Sequence, residues 1–210
     1  MKLGFQKSII ALLTGAVILA GAVSPFIVQA AQTADQLPAV HQQQLSADEM
    51  AARTADIFDI DQSAILKYHS QGYTFSDLNR AAFLAKAGGK SLDEVLTAKT
   101  AGSTWKDVCV QLGITKEQMK ATHQDIMATQ LNKKLGFNKQ TTLSLLQQGY
   151  HIGDITVATQ LALNSNKSVT EILSLKKINN TWHDVAQSIG IDDNTYRQDM
   201  RQIRQAFPYR

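Results

Sequence analysis

Four acidic residues of this chain recur in two settings: Glu94 in SLDE and Glu171 in SVTE, then Asp107 in TWKD and Asp184 in TWHD. Paired carboxylates can do acid–base chemistry on a polymer when they face each other across a bond at about 5–10 Å. Each acid here stands three residues after a Ser or Thr. That is the spacing of a capping box, in which the hydroxyl accepts the N3 amide and the N3 side chain accepts the N-cap amide. The spacing therefore assigns all four to helix starts. Asp77 and Asp154 fall in first turns, and Lys99 and Lys176 in last turns, where the helix dipole favours their charges. A hydrolase or lyase of envelope polymer would need the same acids to converge in a cleft between two halves of the chain. That is the alternative to a non-catalytic protein.

Other chemistry is sparse. The histidines His41, His69, His123, His151 and His183 lack metal-ligand spacing, and no nucleophile elbow or phosphate-binding glycine loop occurs. The sequence predicts no catalytic residue, no metal and no organic cofactor. Lys90 and Lys167 precede capping serines and have no structural task of their own. Tyr73 and Tyr150 follow glycine caps, and Trp105 and Trp182 open short helices. Rings at such places either plug a helix junction or form an exposed platform for a glycan or peptide. These six residues, Tyr73, Lys90, Trp105, Tyr150, Lys167 and Trp182, are the candidate binding set.

The elements that position them repeat. TWKDVCVQLGI at Thr104 returns as TWHDVAQSIGI at Thr181, 77 residues on, and the register extends without a gap from residues 50–126 onto 127–203. Such a match defines a duplicated unit. No proline lies between Pro38 and Pro208, and apolar residues recur at three- and four-residue intervals. The expected fold is all-α, two copies of a roughly five-helix unit sharing a long connecting helix. Helices are expected near 47–58, 62–71, 75–87, 92–100, 105–112 and 116–134, then 139–148, 152–164, 169–177, 182–189 and 193–206. Gly72, Gly113, Gly149 and Gly190 suit glycine-capped C-termini. Gly89 faces Asn166 in the register and Gly102 faces Asn179, so both columns are expected to need a left-handed backbone.

The N-terminus reads as an export signal: Lys2 and Lys7, an apolar run from Ile9 to Val23, and small residues ending at Ala30. Cleavage before Ala31 is expected; an uncleaved anchor is the alternative, the apolar stretch being long enough to span a bilayer. Residues 31–45 form a polar leader, 46–126 the first repeat and 127–210 the second. Loss of Lys2 and Lys7 leaves 19 basic against 18 acidic residues, which gives no electrostatic footprint for nucleic acid or an anionic membrane. The single Cys109 cannot form an internal disulfide, and its inward column, shared with Ala186, predicts a small buried residue.

Val108, Cys109, Gly113, Ile114 and Met119, with Val185, Ala186, Gly190, Ile191 and Tyr196, resemble the helix-turn-helix pattern of DNA-binding proteins. Asp192 and Asp193 open the would-be second helix where phosphate contacts need cations, so nucleic acid is not an expected partner. The longer pattern GY…KS(V/L)xE(V/I)L…TWxDV is similar to helical repeats of exported, uncharacterised bacterial families, and covers most of residues 50–203. That resemblance implies export and duplication and carries no catalytic residue. The expectation is a periplasmic or extracellular, non-catalytic module that binds a protein, peptide or cell-wall component, without stable membrane insertion after cleavage.

Overall fold

Hydroxyl and carboxamide caps divide the chain into short helices. The computed structural model describes residues 45–207; the expected signal peptide and nearly all of the leader lie outside them. The helices are α1 (Ala47–Phe58), α2 (Gln62–Ser70), α3 (Phe75–Gly88), α4 (Leu92–Ala98), α5 (Trp105–Gln111) and α6 (Lys116–Leu135). After them come α7 (Lys139–Gln147), α8 (Ile152–Leu163), α9 (Val169–Leu175), α10 (Trp182–Ser188) and α11 (Asp193–Ala206). The fold is all-α, with no strand among the described residues. Each of α7 to α11 starts 77 residues after its counterpart among α2 to α6.

The caps explain those starts. Ser46, Ser91, Thr104, Thr115, Ser168 and Thr181 each form a complete capping box, whereas Thr74, Asn138 and Asp192 cap through the side chain alone. Asp61 does the same for α2, and His151 opens α8 without a side-chain cap.

Helix ends bring one correction. The glycines at 72, 89, 102, 113, 149 and 190 all have positive φ, but neither Asn166 nor Asn179 does. Helix α8 stops at Leu163, with Asn164 closing it at φ −105°, so the turn is over before Asn166. After α9 a side chain does the work: Asn180 accepts from the Lys177 amide at 2.7 Å and donates to the Leu175 carbonyl at 2.9 Å. The column that does need the left-handed backbone is Asp59 (φ 60°) over Gly136 (φ 71°).

Two apolar clusters form on matching columns. Leu78, Ala81, Leu84, Val95, Leu96, Val108 and Ile114 lie in the first, and Ile155, Ala158, Leu161, Ile172, Leu173, Val185 and Ile191 in the second. Close packing explains one glycine: a Cβ on Gly88 would meet Ile114 Cγ1 at 2.9 Å, so α3 can end against the α5–α6 turn only without a side chain. Helix α6 joins the two sets, touching α1, α3, α7 and α11. Lys133 Nζ pairs with Asp56 at 3.0 Å toward α1, Lys139 with Asp125 at 2.7 Å between α7 and α6, and Gln124 donates to the Leu146 carbonyl at 2.9 Å.

Left-handed glycines and their asparagine counterparts should therefore respond differently. Gly89→Ala and Gly102→Ala should each cost about 1–2 kcal/mol, and Asn166→Ala and Asn179→Ala should stay within about 0.5 kcal/mol, as read from thermal melts of the four variants.

Candidate functional site

The repeated acids lie on their own helix ends. Glu94 accepts from the Ser91 amide at 2.7 Å, Asp107 from Thr104 at 2.7 Å, Glu171 from Ser168 at 2.7 Å and Asp184 from Thr181 at 2.7 Å. Backbone N–H donation, with the cap hydroxyl behind it, holds Glu94, Asp107 and Asp184 below the usual carboxylate range; for Glu171 the Ser168 hydroxyl leads. A cavity of about 210 Å³ lies where α1, α6 and α8 meet, lined by Ile57, Ile126, Leu131, Ile152, Lys134 and Phe207 among others, and no carboxylate lines it.

The candidate binding residues do not gather at one place. Tyr73 packs against the first cluster and meets the Tyr68 ring edge-on at 6.0 Å, with its carbonyl accepting from His69 Nδ1 at 2.9 Å. Tyr150 is exposed. Lys90 and Lys167 are exposed beside capping boxes, where their charge helps depress Glu94 and Glu171. Trp105 and Trp182 are both half-buried against their clusters, and from there their surroundings diverge.

Trp105 lines a groove of about 360 Å³ between α3, α5 and the first turn of α6. Phe83 and Leu84 from α3, Cys109 from α5 and Met119 from α6 complete its apolar floor. Asn79, Arg80 and Lys106 stand at its polar edge. Asn79 accepts from the Thr54 hydroxyl at 2.8 Å, whereas Arg80 and Lys106 are exposed and make no hydrogen bond or ion pair among the described residues. The Lys99 ammonium sits 5.7 Å from the Trp105 ring centroid. Cys109 is thus half-buried in the groove instead of wholly buried like Ala186, and burial pushes its thiol up.

In the second half the residues at the corresponding positions differ. Tyr196 stands in the register where Met119 does, and its ring lies 5.1 Å from that of His183. His183 Nε2 donates to Asp193 at 2.8 Å. Trp182 Nε1 donates to Asp154 at 3.2 Å. Where Phe83 stands in the first half, the second has Gln160, which donates to the buried Asp199 carboxylate at 3.0 Å; Asn164 adds bonds of 2.9 and 3.0 Å to its two oxygens. Three amide N–H···O contacts satisfy a carboxylate only 3 % exposed.

Arg80, Phe83 and the Asp199 network carry no motif, and Met119 enters only through the helix-turn-helix resemblance. Their signal is mismatch within the internal register: Phe83 over Gln160, Ala87 over Asn164, Met119 over Tyr196 and Thr122 over Asp199 change character together. No known protein family, curated protein or solved structure matches this chain.

Because Trp182 is hydrogen-bonded to Asp154 and Trp105 borders a groove, Trp182→Ala should cost more, about 2–4 kcal/mol against about 1–3 for Trp105→Ala, as measured in chemical denaturation of both variants. The capping carboxylates should also make stability depend on acid. Their folded values are depressed, so their contribution is complete above the ordinary carboxylate range and is lost as pH falls through the lower folded values. Melting temperature should fall progressively below about pH 5. Glu94→Gln with Glu171→Gln should flatten that slope while keeping the boxes, as Gln118 does for Thr115.

Proposed function

We propose that this protein is a non-catalytic exported helical module that binds a protein, peptide or cell-envelope component through the groove between α3, α5 and α6. The observation that carries the reading is the groove itself, with an apolar floor around Trp105 and two exposed cations, Arg80 and Lys106, that make no hydrogen bond or ion pair among the described residues. Ligand sites have this composition, a mostly apolar surface with a few polar groups that fix orientation. The capping acids are engaged at their own helix ends, which supports binding over hydrolysis. Export is supported by the basic start, apolar run and small residues before Ala31. The shared 77-residue offset of the helix starts supports a duplicated unit, whose copies differ in what surrounds Trp105 and Trp182.

Met119→Tyr should close the groove by copying the second half. A displayed peptide library panned on the parent should enrich binders that Met119→Tyr no longer retains, with circular dichroism confirming that the variant folds. Enriched peptides held equally by both proteins would place binding elsewhere.

A further inference from the structure

In the second half a ring and an acid meet on the helix that Trp182 opens. Tyr196 packs against the second cluster, as Trp182 does, with its ring 5.1 Å from that of His183, and a carboxylate three residues earlier, Asp193, bonds His183 at 2.8 Å. Ring and acid come from one turn of helix. At the matching positions of the first half stand Met119, shorter and unbranched, and Lys116, a cation; Lys106 replaces His183 and Arg80 replaces Val157. The first half has therefore lost both the internal ring and the internal acid, and it gains positive charge at the same edge. Nothing that lines the groove is negative. Asp107, its nearest acid in sequence, is bonded to Thr104 at 2.7 Å, while Lys120 is exposed on the turn that carries Met119.

From this we infer that the groove takes an acidic peptide segment of another protein, one that supplies a large apolar side chain to the Trp105 floor and carboxylates to Arg80 and Lys106. The inference rests on the groove being the binding site. The volume of about 360 Å³ is at the small end for ligand sites, enough for one anchoring side chain and part of its neighbours. Desolvation of the apolar anchor supplies affinity. The two exposed cations, Lys106 also acting on the neighbouring Asp107 carboxylate, supply orientation and selection against basic segments, since opposite charges across a binding edge act chiefly on specificity and on-rate. A peptide is favoured because the second half already sets a ring, Tyr196, and a carboxylate, Asp193, three residues apart on one backbone against His183, the position that Lys106 takes in the first half.

The test uses the capped peptide Asp-Ala-Ala-Tyr-Ala-Glu, its Asn/Gln analogue, its Lys analogue and dodecanoate as four probes. Binding is read from the Trp105 indole N–H resonance, with Trp182 as internal control, and from the rate of Cys109 modification by a thiol reagent. The acidic peptide should move the Trp105 signal, leave Trp182 in place and slow Cys109 modification; the Lys analogue should bind roughly tenfold more weakly or worse. Arg80→Glu with Lys106→Glu should reverse that order, and Arg80→Gln with Lys106→Gln should level it. Equal binding of the acidic and Asn/Gln peptides would overturn the acidic class while the groove reading stands. Binding of dodecanoate but of no peptide would replace the peptide by an anionic amphiphile. If no probe moved Trp105 or protected Cys109, the groove reading and the acidic ligand would fall together.

Discussion

Helix α6 is the constraint on which the rest depends. Its 20 residues span about 30 Å, long enough for helices of both halves to pack along it. Near its start Met119 reaches the first cluster. Toward its end Ile126, Ala128 and Leu131 are buried, and Phe137 follows just beyond the Gly136 cap. With contacts to α1, α3, α7 and α11, it ties both sets of helices to one rigid element. The chain's single cysteine cannot cross-link it internally, so apolar burial along this helix, with the Lys133–Asp56 and Lys139–Asp125 pairs at its flanks, has to hold the halves together.

Four of the remaining helices, α4, α5, α9 and α10, are only seven residues long. Isolated helices of that length do not persist in water, since nucleation outweighs the few hydrogen bonds gained. Their capping boxes offset part of that cost by satisfying amides at the N-terminus, and the apolar residues they bury do the rest. This is why the acids that look catalytic in the sequence are held so firmly at helix ends. A carboxylate accepting its own N-cap amide at 2.7 Å is poorly placed to exchange protons with a substrate.

The two halves differ where their last helices dock. In the second, the Tyr196 ring meets His183 of α10, and Gln160 and Asn164 of α8 bond the buried Asp199 of α11. A buried carboxylate without a cation is stable only when its oxygens are hydrogen-bonded, and three side-chain N–H contacts meet that need. In the first half the matching residues are Phe83, Ala87 and Thr122, and an apolar groove lies beside Trp105. The change at these columns thus sets a polar network in one half against an apolar groove in the other.

The helices could be read from the sequence because what starts and stops them is local. A Ser or Thr and the acid or amide three residues later decide an N-terminus within one turn, and the observed bounds follow those marks to within one or two residues nearly everywhere. Locality also marks the limit of that reading. Asn166 and Asn179 pair with glycines in the register, but α8 ends at Leu163 with Asn164 as its cap, and the Asn180 side chain takes the place of a left-handed residue after α9. The inward period of Cys109 was legible, yet its partial exposure follows from its place in a groove built by three helices, which no residue within a turn of it reports. The groove joins Phe83, Trp105 and Met119 from three helices. Capping is decided over three residues of chain, whereas a cavity is decided by the angles at which whole helices meet, and only the tertiary structure sets those.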